Sequence, residues 1–271
     1  MDLSVIVTNY KTPELLKLCL KSLKQFLPNI KHEVFVMDSQ SDEDTEFVVK
    51  ENFPEFHLVA FEKNMGFRAL VNNGLFLAKG RYILVLNSDI ILTKGSVETM
   101  MQYLEENEGA GMVGPQLLSL DGSIQDSCLR FFGPLTILAR RTIFGRTRTG
   151  KKLLDNFVMR DYDHQAPRQA DWMLGSALLV SRTAVERVGL MDDRFFMYFE
   201  DVDWCRRFWQ AGYKVVYLPG AKMFHYHLRV SKKVGGVFDL FINKYTWIHI
   251  VSAVKYYTKY KHNWVPNFSN L

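Results

Sequence analysis

Three polar side chains follow a strongly apolar segment in the first half of the chain. Residues 82–86 are Tyr-Ile-Leu-Val-Leu, and Asn87, Ser88 and Asp89 come directly after them. A carboxylate at the end of a buried strand is costly unless a positive group meets it. Mg²⁺ or Mn²⁺ bridging a diphosphate is such a group, because hard cations prefer oxygen ligands. A turn in which Asp89 caps the next segment through local hydrogen bonds is the alternative, and it stays open.

A second pair of acids, Glu200 and Asp201, follows the aromatic run 195–199 at the start of a predicted helix. The positive end of a helix dipole favours anions there, so a purely structural role fits both acids. Their aromatic flank also fits a cleft, in which a carboxylate acts as a general base toward a hydroxyl group. The two interpretations stay open. Asp203 is spaced to pair with an arginine three or four positions further along the helix.

Two further positions could bind a metal or a phosphate. His225 follows a predicted strand, and a neutral imidazole can ligate a metal, although a packing or surface histidine is the alternative. Gly66 lies in a turn that opens a helix, where backbone N–H groups and Arg68 could meet phosphate. An ordinary strand-to-helix turn explains the same residues.

Apolar strands that alternate with helical patterns must position these groups. The sequence predicts strands over 3–8, 33–38, 57–61 and 82–86, with amphipathic helices between them. Continuous apolar strands separated by helices indicate a mostly parallel, Rossmann-like α/β sheet covered on both faces. Ligands bind at the carboxyl ends of such strands, and this rule selects the segments 8–10, 38–39 and 87–89.

The second half of the chain has a different pattern. Strands are predicted over 111–118, 175–181 and 214–218, a helix over 201–211, and an aromatic-rich helix over 237–261. We expect one domain over 1–235, with a nucleotide half of about 1–110 and an acceptor half of about 111–235. Residues 236–271 are predicted to form a basic, aromatic helical extension.

Composition describes a folded globular protein with a basic bias. The 271 residues are 48% hydrophobic and 23% charged, with a net charge of +5. Three scattered cysteines and the lack of a basic leader segment predict a cytoplasmic protein with reduced cysteines. Seven Lys and Arg residues and no acid lie between 130 and 152, and no acid follows Asp239. Such a surface suits phosphates, nucleic acid or an acidic membrane face.

Seven motifs in a fixed order carry a resemblance over about residues 3–231. They are VIVTNY, VMDSQSDEDT, NMGFRALVNNG, LVLNSDI, DWMLGSALLV, FFMYFEDVDWCRR and AKMFHYHLRVS. The ordered set resembles the large inverting glycosyltransferase family 2, which has a GT-A fold, and in particular its rhamnosyltransferase-like bacterial members. The resemblance implies a sheet flanked by helices with an acceptor-side C-terminal half.

The resemblance also assigns residues to the donor and the metal. Thr8, Tyr10 and Asp38 correspond to positions that hold the base and ribose, with Asp38 accepting from a pyrimidine N3–H. The family's DxD element corresponds to 87–89, so Asp89 is implied as a ligand of Mg²⁺ or Mn²⁺, with Asn87 and Ser88 beside the nucleotide. His225 corresponds to a histidine that completes the metal or diphosphate site. Asn87 replaces the first acid, and Arg68 replaces a small residue and adds positive charge near the diphosphate.

For catalysis, the resemblance implies that Asp201 is the general base and Glu200 its neighbour. Trp172 and Gly175 correspond to a segment that lines the sugar and acceptor cleft. The implied reaction moves a sugar from a nucleotide-diphosphate donor, dTDP-rhamnose first and a UDP-sugar next. The implied acceptor is a hydroxyl of a cell-surface polysaccharide or a lipid-linked saccharide.

Other classes of function leave these residues unexplained. A nicotinamide-dependent Rossmann enzyme needs a glycine-rich turn after the first strand, and 8–13 contain no glycine. A non-catalytic protein that binds anionic lipid or nucleic acid would use the basic surface but not the acids, and nucleic acid is the less expected partner. The aromatic, lysine-rich tail fits the inner face of a membrane, or packing on the domain or on a second subunit in a homodimer.

Overall fold

Nine strands form one sheet in a computed structural model, which describes residues 1–226, 244–266 and 268. The strands of this sheet are β1 (Leu3–Asn9), β2 (His32–Ser39), β3 (His57–Phe61), β4 (Tyr82–Asn87), β5 (Ile90–Leu92), β6 (Ala110–Leu118), β8 (Arg168–Gln169), β10 (Ala177–Ser181) and β11 (Lys214–His225). A separate ribbon pairs β7 (Cys128–Leu129) with β9 (Trp172–Met173). The order in the sheet is β3-β2-β1-β4-β10-β6-β11-β5, with β8 paired to β11.

The first half of the sheet is parallel. β1 pairs in parallel with both β2 and β4, and its register sets Thr8 opposite Asn87 and Asn9 opposite Asp38. The carboxyl ends of these three strands therefore meet at one edge. The polar residues that follow them are brought together there, as the sequence predicts.

The second half of the sheet is mixed. β10 runs antiparallel between β4 and β6, whereas β11 is parallel to β6. Because β10 is antiparallel to β4, the residues that enter β10 lie beside the carboxyl end of β4. Backbone N–H of Asn87 donates to the carbonyl of Ser176 over 2.9 Å. This connection places the acceptor-side half against the strand edge of the first half.

Helices cover both faces of the sheet. The helices in the described residues are α1 (Pro13–Phe26), α2 (Glu43–Asn52), α3 (Phe67–Leu77), α4 (Ser96–Glu106), α5 (Pro134–Arg141), α6 (Arg148–Phe157), α7 (Arg182–Val188), α8 (Glu200–Gln210) and α9 (Lys244–Lys259), with a short 3₁₀ helix at Ile143–Arg146. One apolar core lies under α1, α2 and α4, and the other under α3, α7, α8 and α9. The alternation of β1 feeds both cores, because Val5 and Val7 enter the first and Ile6 enters the second.

Most predicted elements are present, and the differences fall in the second half. The strand predicted over 214–218 continues to His225, and β5, α4 and α7 had no prediction. The basic segment 130–152 is largely helical. Of the helix predicted over 237–261, the described part is α9, and residues 237–243 lie outside the described residues. All three cysteines are unpaired and buried, as expected. In the part of the chain that the structure describes, no helix is long and apolar enough to cross a bilayer.

Candidate active site

A network of side-chain hydrogen bonds joins the ends of β1, β2 and β4. Thr8 Oγ1 donates to Asn87 Oδ1 over 3.1 Å, and Asn9 Nδ2 donates to Asp38 Oδ1 over 2.8 Å. Thr12 Oγ1 donates to Asn9 Oδ1, also over 2.8 Å. These bonds fix the orientation of the Asn9 amide, because its nitrogen and its oxygen each have a defined partner.

Ser88 completes this network. Its hydroxyl lies 2.9 Å from Thr12 Oγ1, and its backbone N–H donates to the carbonyl of Thr8. The predicted residues Thr8, Asp38, Asn87 and Ser88 are therefore connected through Asn9 and Thr12. Asn9 belongs to the segment 8–10 that the strand-end rule selects, although no separate role was predicted for it. Thr12 was not predicted, and its bond across to Ser88 has no signal in the sequence.

Asp38 has an unused hydrogen-bonding atom. Its side chain is fully buried, and Oδ2 has no hydrogen-bond partner among the described residues. Burial raises the pKa of this carboxyl group above its ordinary value, although the nearby Ser41 hydroxyl and the Asn9 amide oppose the shift. A buried acceptor without a partner costs free energy that a ligand donor can recover. Oδ2 could therefore accept a hydrogen bond from an N–H group of a bound molecule.

Tyr10 and Arg68 occupy the border of this edge. Tyr10 is partly exposed, and its hydroxyl donates to Gln40 Oε1 over 3.3 Å. Arg68 Nε donates to the carbonyl of Phe195 over 3.1 Å, and its guanidinium pairs with Asp193 at 3.0 Å. In this structure Arg68 holds the segment that leads into α8. Its contact with a diphosphate stays a prediction.

Asp89 and His225 lie next to each other, as predicted for a metal site. His225 Nε2 is 3.5 Å from Asp89 Oδ2, and the imidazole is buried. Gln125 orients the ring, because its Oε1 lies 2.7 Å from Nδ1 and its Nε2 donates to the His225 carbonyl. Asp89 Oδ1 is buried without a hydrogen-bond partner in the described residues. A carboxylate oxygen without a partner beside an imidazole nitrogen is a donor set that fits a divalent cation.

This pair could supply two protein ligands to a metal ion. Within the described residues, no group of three or more His, Cys, Asp or Glu side chains is arranged to hold a metal. Mg²⁺ commonly keeps several waters and is held by one or two carboxylates together with substrate phosphates. A site with two protein side chains is consistent with that chemistry.

Asp201 lies against the residue pair that enters β10. Its Oδ2 accepts the backbone N–H of Gly175 over 3.2 Å, and its Oδ1 accepts the N–H of Val202 over 2.9 Å. Gly175 immediately precedes Ser176, whose carbonyl holds Asn87. Two consecutive residues, Gly175 and Ser176, therefore connect the predicted base to the strand edge that carries 87–89. A side chain at 175 would be tightly packed, since an added Cβ lies 3.0 Å from the Phe67 ring and in ordinary contact, at 3.4 Å, with Asp201 Cβ.

The turn before α8 has an unusual backbone. Tyr198 and Phe199 have φ angles of 68° and 67°, in the left-handed region that residues other than glycine rarely adopt. Such conformations cost of order 1–3 kcal/mol each and are common at functional sites. Gly66, with φ 76°, packs so closely on Phe196 that an added Cβ would lie 2.3 Å from its carbonyl oxygen. Contacts from the first half of the chain therefore hold this turn in place.

The two acids at the start of α8 have different surroundings. Burial raises the pKa of Asp201 to about 6, against the effect of the two backbone N–H groups that favour its charge. Burial, together with the neighbouring Asp201, raises the pKa of Glu200 well above its usual range. Glu200 Oε2 is buried and has no partner in the described part of the chain. Both acids of the pair therefore hold a proton more readily than a solvent-exposed carboxyl group does.

Trp172 has a position different from the one expected of a cleft residue. Its ring is buried between Phe132 and Phe157, and its Nε1 donates to the carbonyl of Arg130 over 3.1 Å. The side chain therefore supports the wall behind Gly175. Direct contact of Trp172 with a sugar stays a prediction. Asp203 pairs with Arg207 at 2.9 Å, as the helical spacing predicts.

Two family models match this chain. The model described as glycosyl transferase family 2 matches residues 4–159, and the one described as glycosyl transferase family group 2 matches residues 82–265. The first match contains the whole strand-end network and Asp89. The second contains Asp89, Asp201 and His225.

Several relatives with similar sequences are described as rhamnosyltransferases. The chain is 26% identical over 204 residues to the N-acetylglucosaminyl-diphospho-decaprenol L-rhamnosyltransferase of Mycobacterium tuberculosis, a match that covers 71% of this chain and 66% of that protein. It is 28% identical over 175 residues to the rhamnosyltransferase WbbL of Escherichia coli, covering 65% of this chain and 61% of that one. The matched region thus spans just under two thirds of both relatives.

Solved structures share the fold. A structure of GalNAc-T7 with UDP, GalNAc and Mn²⁺ aligns with a TM-score of 0.62 at 15% identity, covering 84% of this chain and 44% of that one. Staphylococcus aureus TarS aligns with a TM-score of 0.60 at 16% identity, covering 84% and 37%. The expected GT-A fold is confirmed. With a family model that matches more than half of its residues, the chain belongs to glycosyl transferase family 2.

Proposed function

We propose that the protein transfers a sugar from a nucleotide-diphosphate donor to a hydroxyl group of an acceptor, with inversion at the anomeric carbon. The observation that supports this proposal is a pair of hydrogen bonds from two consecutive residues. The Ser176 carbonyl accepts the N–H of Asn87, and the N–H of Gly175 donates to the carboxylate of Asp201. These bonds set a carboxylate with a pKa near 6 beside the strand edge expected to hold the donor. A general base must lie within reach of the reacting hydroxyl, and its pKa must suit the working pH.

The donor is proposed to bind along the strand-end network. Asp38 Oδ2, which has no partner, would accept the N3–H of a pyrimidine, with Thr8 and Tyr10 beside the base and ribose. dTDP-rhamnose is the favoured donor, and a UDP-sugar is the next. The relatives support this order, since one at 24% identity is described as the dTDP-rhamnosyl transferase RfbF of Shigella flexneri.

The transfer is proposed to occur in one displacement. The acceptor oxygen forms a bond to the anomeric carbon while the bond from that carbon to the diphosphate oxygen breaks. Asp201 takes the proton of the acceptor hydroxyl, and the nucleoside diphosphate departs with the electron pair. Mg²⁺ or Mn²⁺ held by Asp89 and His225 would supply Lewis-acid stabilisation of the charge on that diphosphate. Glu200, buried beside Asp201, would position Asp201 and the acceptor.

The acceptor is proposed to be a saccharide, free or lipid-linked. The rhamnosyltransferase relatives support this class, and one of them is named for a decaprenol-linked substrate. A cytoplasmic location and a homodimer stay predictions. A purely binding protein would leave the buried acids of the site without a role, so it is not carried further.

Thermal unfolding with nucleotides tests this proposal. The panel contains UDP, dTDP, GDP and ADP, each with and without Mn²⁺. We expect one pyrimidine diphosphate to raise the melting temperature, with a larger rise when Mn²⁺ is present, because ligands that bind only the native state stabilise it. Asp38→Asn should reduce the rise, and Asp44→Asn, a neighbouring exposed acid in α2, is the matched control. Equal shifts for purine and pyrimidine, or no shift for any nucleotide, would remove the proposed donor site.

A further inference from the structure

An open apolar groove of about 640 Å³ lies between α5 and α9. Pro134 and Ile137 of α5 form one wall, and Val254 and Tyr257 of α9 form the other, with Trp264 nearby. Neither the strand-end network nor the Asp89 pair contributes to its lining. The groove therefore lies outside the candidate active site and has no role in the proposed reaction.

Exposed apolar side chains continue beyond the groove. Trp247, Val251 and Val254 are spaced four and three residues apart, so they lie on one side of α9, and all three are about half exposed. The opposite side of this helix is buried through Ser252 and Tyr256. Leu135 of α5 is 63% exposed, and Ile143 in the 3₁₀ helix is 81% exposed. Scattered exposed apolar residues are ordinary, but a continuous set marks an interaction surface.

The same surface is basic and lacks acids. Neither 127–154 nor 244–266 contains an Asp or a Glu. Exposed lysines and arginines lie on or next to the same elements as the apolar residues, and they are Arg146, Arg148, Lys151, Lys152 and Lys261. An apolar centre within a basic border is complementary to a surface that has an apolar interior and anionic groups at its boundary.

We propose that this surface, formed by α5, the 3₁₀ helix, the start of α6 and the outward side of α9, docks on an anionic phospholipid bilayer. We name it the docking face. Its aromatic and aliphatic side chains enter the boundary of the acyl region, while the lysines and arginines meet the headgroups. A second copy of the chain fits less well, since a two-fold interface would bring two basic borders together.

Docking would place the membrane beside the candidate base. The ring of His249 in α9 lies 5.2 Å from that of Tyr198 and 5.3 Å from that of Phe199. Ser252 Oγ donates to the carbonyl of Met197 over 2.8 Å. The helix that carries the docking face thus contacts the turn that leads into Glu200 and Asp201. The advantage for a lipid-linked acceptor rests on the proposed function, but the docking itself does not.

Vesicle flotation of the full chain, without nucleotide or metal, tests the docking face. One set of vesicles is pure phosphatidylcholine, and the other contains roughly one third phosphatidylglycerol. We expect binding to the anionic vesicles only, with most of it lost when NaCl rises from about 0.1 M to about 0.5 M, because salt screens headgroup attraction. Equal binding to both vesicles, or none to either, would overturn the proposal.

Paired variants locate the contact. Trp247→Ser with Val254→Ser, and separately Lys151→Glu with Lys152→Glu, should each lower the vesicle partition coefficient about tenfold or more. The controls are Phe76→Ser, an apolar residue of α3 that is 86% exposed, and Lys17→Glu with Lys21→Glu on α1. The controls should bind as the unaltered chain does. An equal loss of vesicle binding in the controls would show that binding depends on net charge or general hydrophobicity and not on the docking face.

Two other occupants give different results. If a second copy covers the face, light scattering shows a dimer that Trp247→Ser with Val254→Ser dissociates, and vesicles are not bound. If the chain covers its own groove, the same substitutions lower the melting temperature and leave vesicle binding unchanged. Each of these results contradicts the proposal. Nucleotide-dependent stabilisation, measured separately, reports on the proposed function whether or not vesicles bind.

Discussion

Asp201 and Glu200 are adjacent in the chain but differ in what surrounds their oxygens. Both oxygens of Asp201 accept backbone N–H groups, whereas Glu200 Oε2 is buried with no partner in the described residues. A carboxylate keeps its charge where donors stabilise it, and it takes up a proton where burial removes solvent and another acid lies close by. This difference makes Asp201 the member of the pair that can accept a proton near neutral pH.

The pH dependence of transfer should follow from the raised pKa of Asp201. A base acts only when it is deprotonated, so kcat/KM should be constant above about pH 7. It should then fall about tenfold per pH unit below about 6, the value to which burial raises this pKa. Initial rates across pH 5 to 8 in overlapping buffers measure this profile. A rate that does not change down to pH 5 would contradict Asp201 as the titrating base.

Gly175 should be intolerant of a methyl group. The added Cβ would lie 3.0 Å from the Phe67 ring, so the ring or the segment at 175 must shift by a few tenths of an ångström, next to the Asp201 side chain. Because displacing a reacting group by about 1 Å can cost about 100-fold in rate, we expect this smaller shift to lower kcat of Gly175→Ala by about three- to tenfold. Gly109→Ala is the control, because nothing lies within 4 Å of its Cβ. If both variants retain full activity, close contact at 175 does not position the base.

At the scale of elements, α1 joins the strand ends through one hydroxyl. Thr12 Oγ1 connects Asn9 to Ser88, and Thr12 makes no side-chain capping bond to α1. Thr12→Val keeps the shape and removes this link, so we expect nucleotide binding about three- to tenfold weaker with little change in stability. Calorimetry measures the affinity. Thr99→Val, which removes a comparable bond within α4, should leave it unchanged, and an equal effect would argue against the network.

The parallel half of the sheet was predictable because each of its strands has its own local signal. Apolar runs such as 82–86 mark strands whatever their neighbours are, and the strand-end rule then brings 8–10, 38–39 and 87–89 together. The antiparallel placement of β10 between β4 and β6 was not predictable. It depends on long-range pairing and not on any pattern within 175–181. The bond between Ser176 and Asn87 follows from that pairing and was missed for the same reason.

At the scale of the whole molecule, buried charged side chains attach α9 to α8 and to the loop before it. Lys259 Nζ contacts Asp203 at 2.5 Å and Asp192 at 2.6 Å. The buried Arg206 lies 3.5 Å from the Tyr260 ring centre and donates to the carbonyl of Asn263 over 2.7 Å. The sequence predicts a basic and aromatic helical extension, and within its described residues Lys244–Lys259 form a helix. Composition alone did not reveal that Asp203 and Arg206 of α8 would hold it.

Lys259→Met should destabilise the whole chain. Removing one partner from a buried ionic cluster leaves Asp203 with less compensation, at a cost of about 3 kcal/mol. In a protein of this size, that lowers the melting temperature by several degrees. Lys244→Met, at the exposed start of α9, is the matched control and should have little effect. Identical melting curves for the two variants would show that α9 is not anchored through this cluster.

Comparison of Asp201→Asn with the unaltered chain is the most direct test of the central claim. With the donor identified by the nucleotide panel, transfer rate and nucleotide affinity are measured on the same preparations. We predict that transfer falls by about 10²–10⁴-fold while the affinity stays within about twofold. The melting temperature should be unchanged or higher, because ionising a buried carboxylate whose folded pKa is raised destabilises the fold at neutral pH. Undiminished transfer by Asp201→Asn would contradict the account.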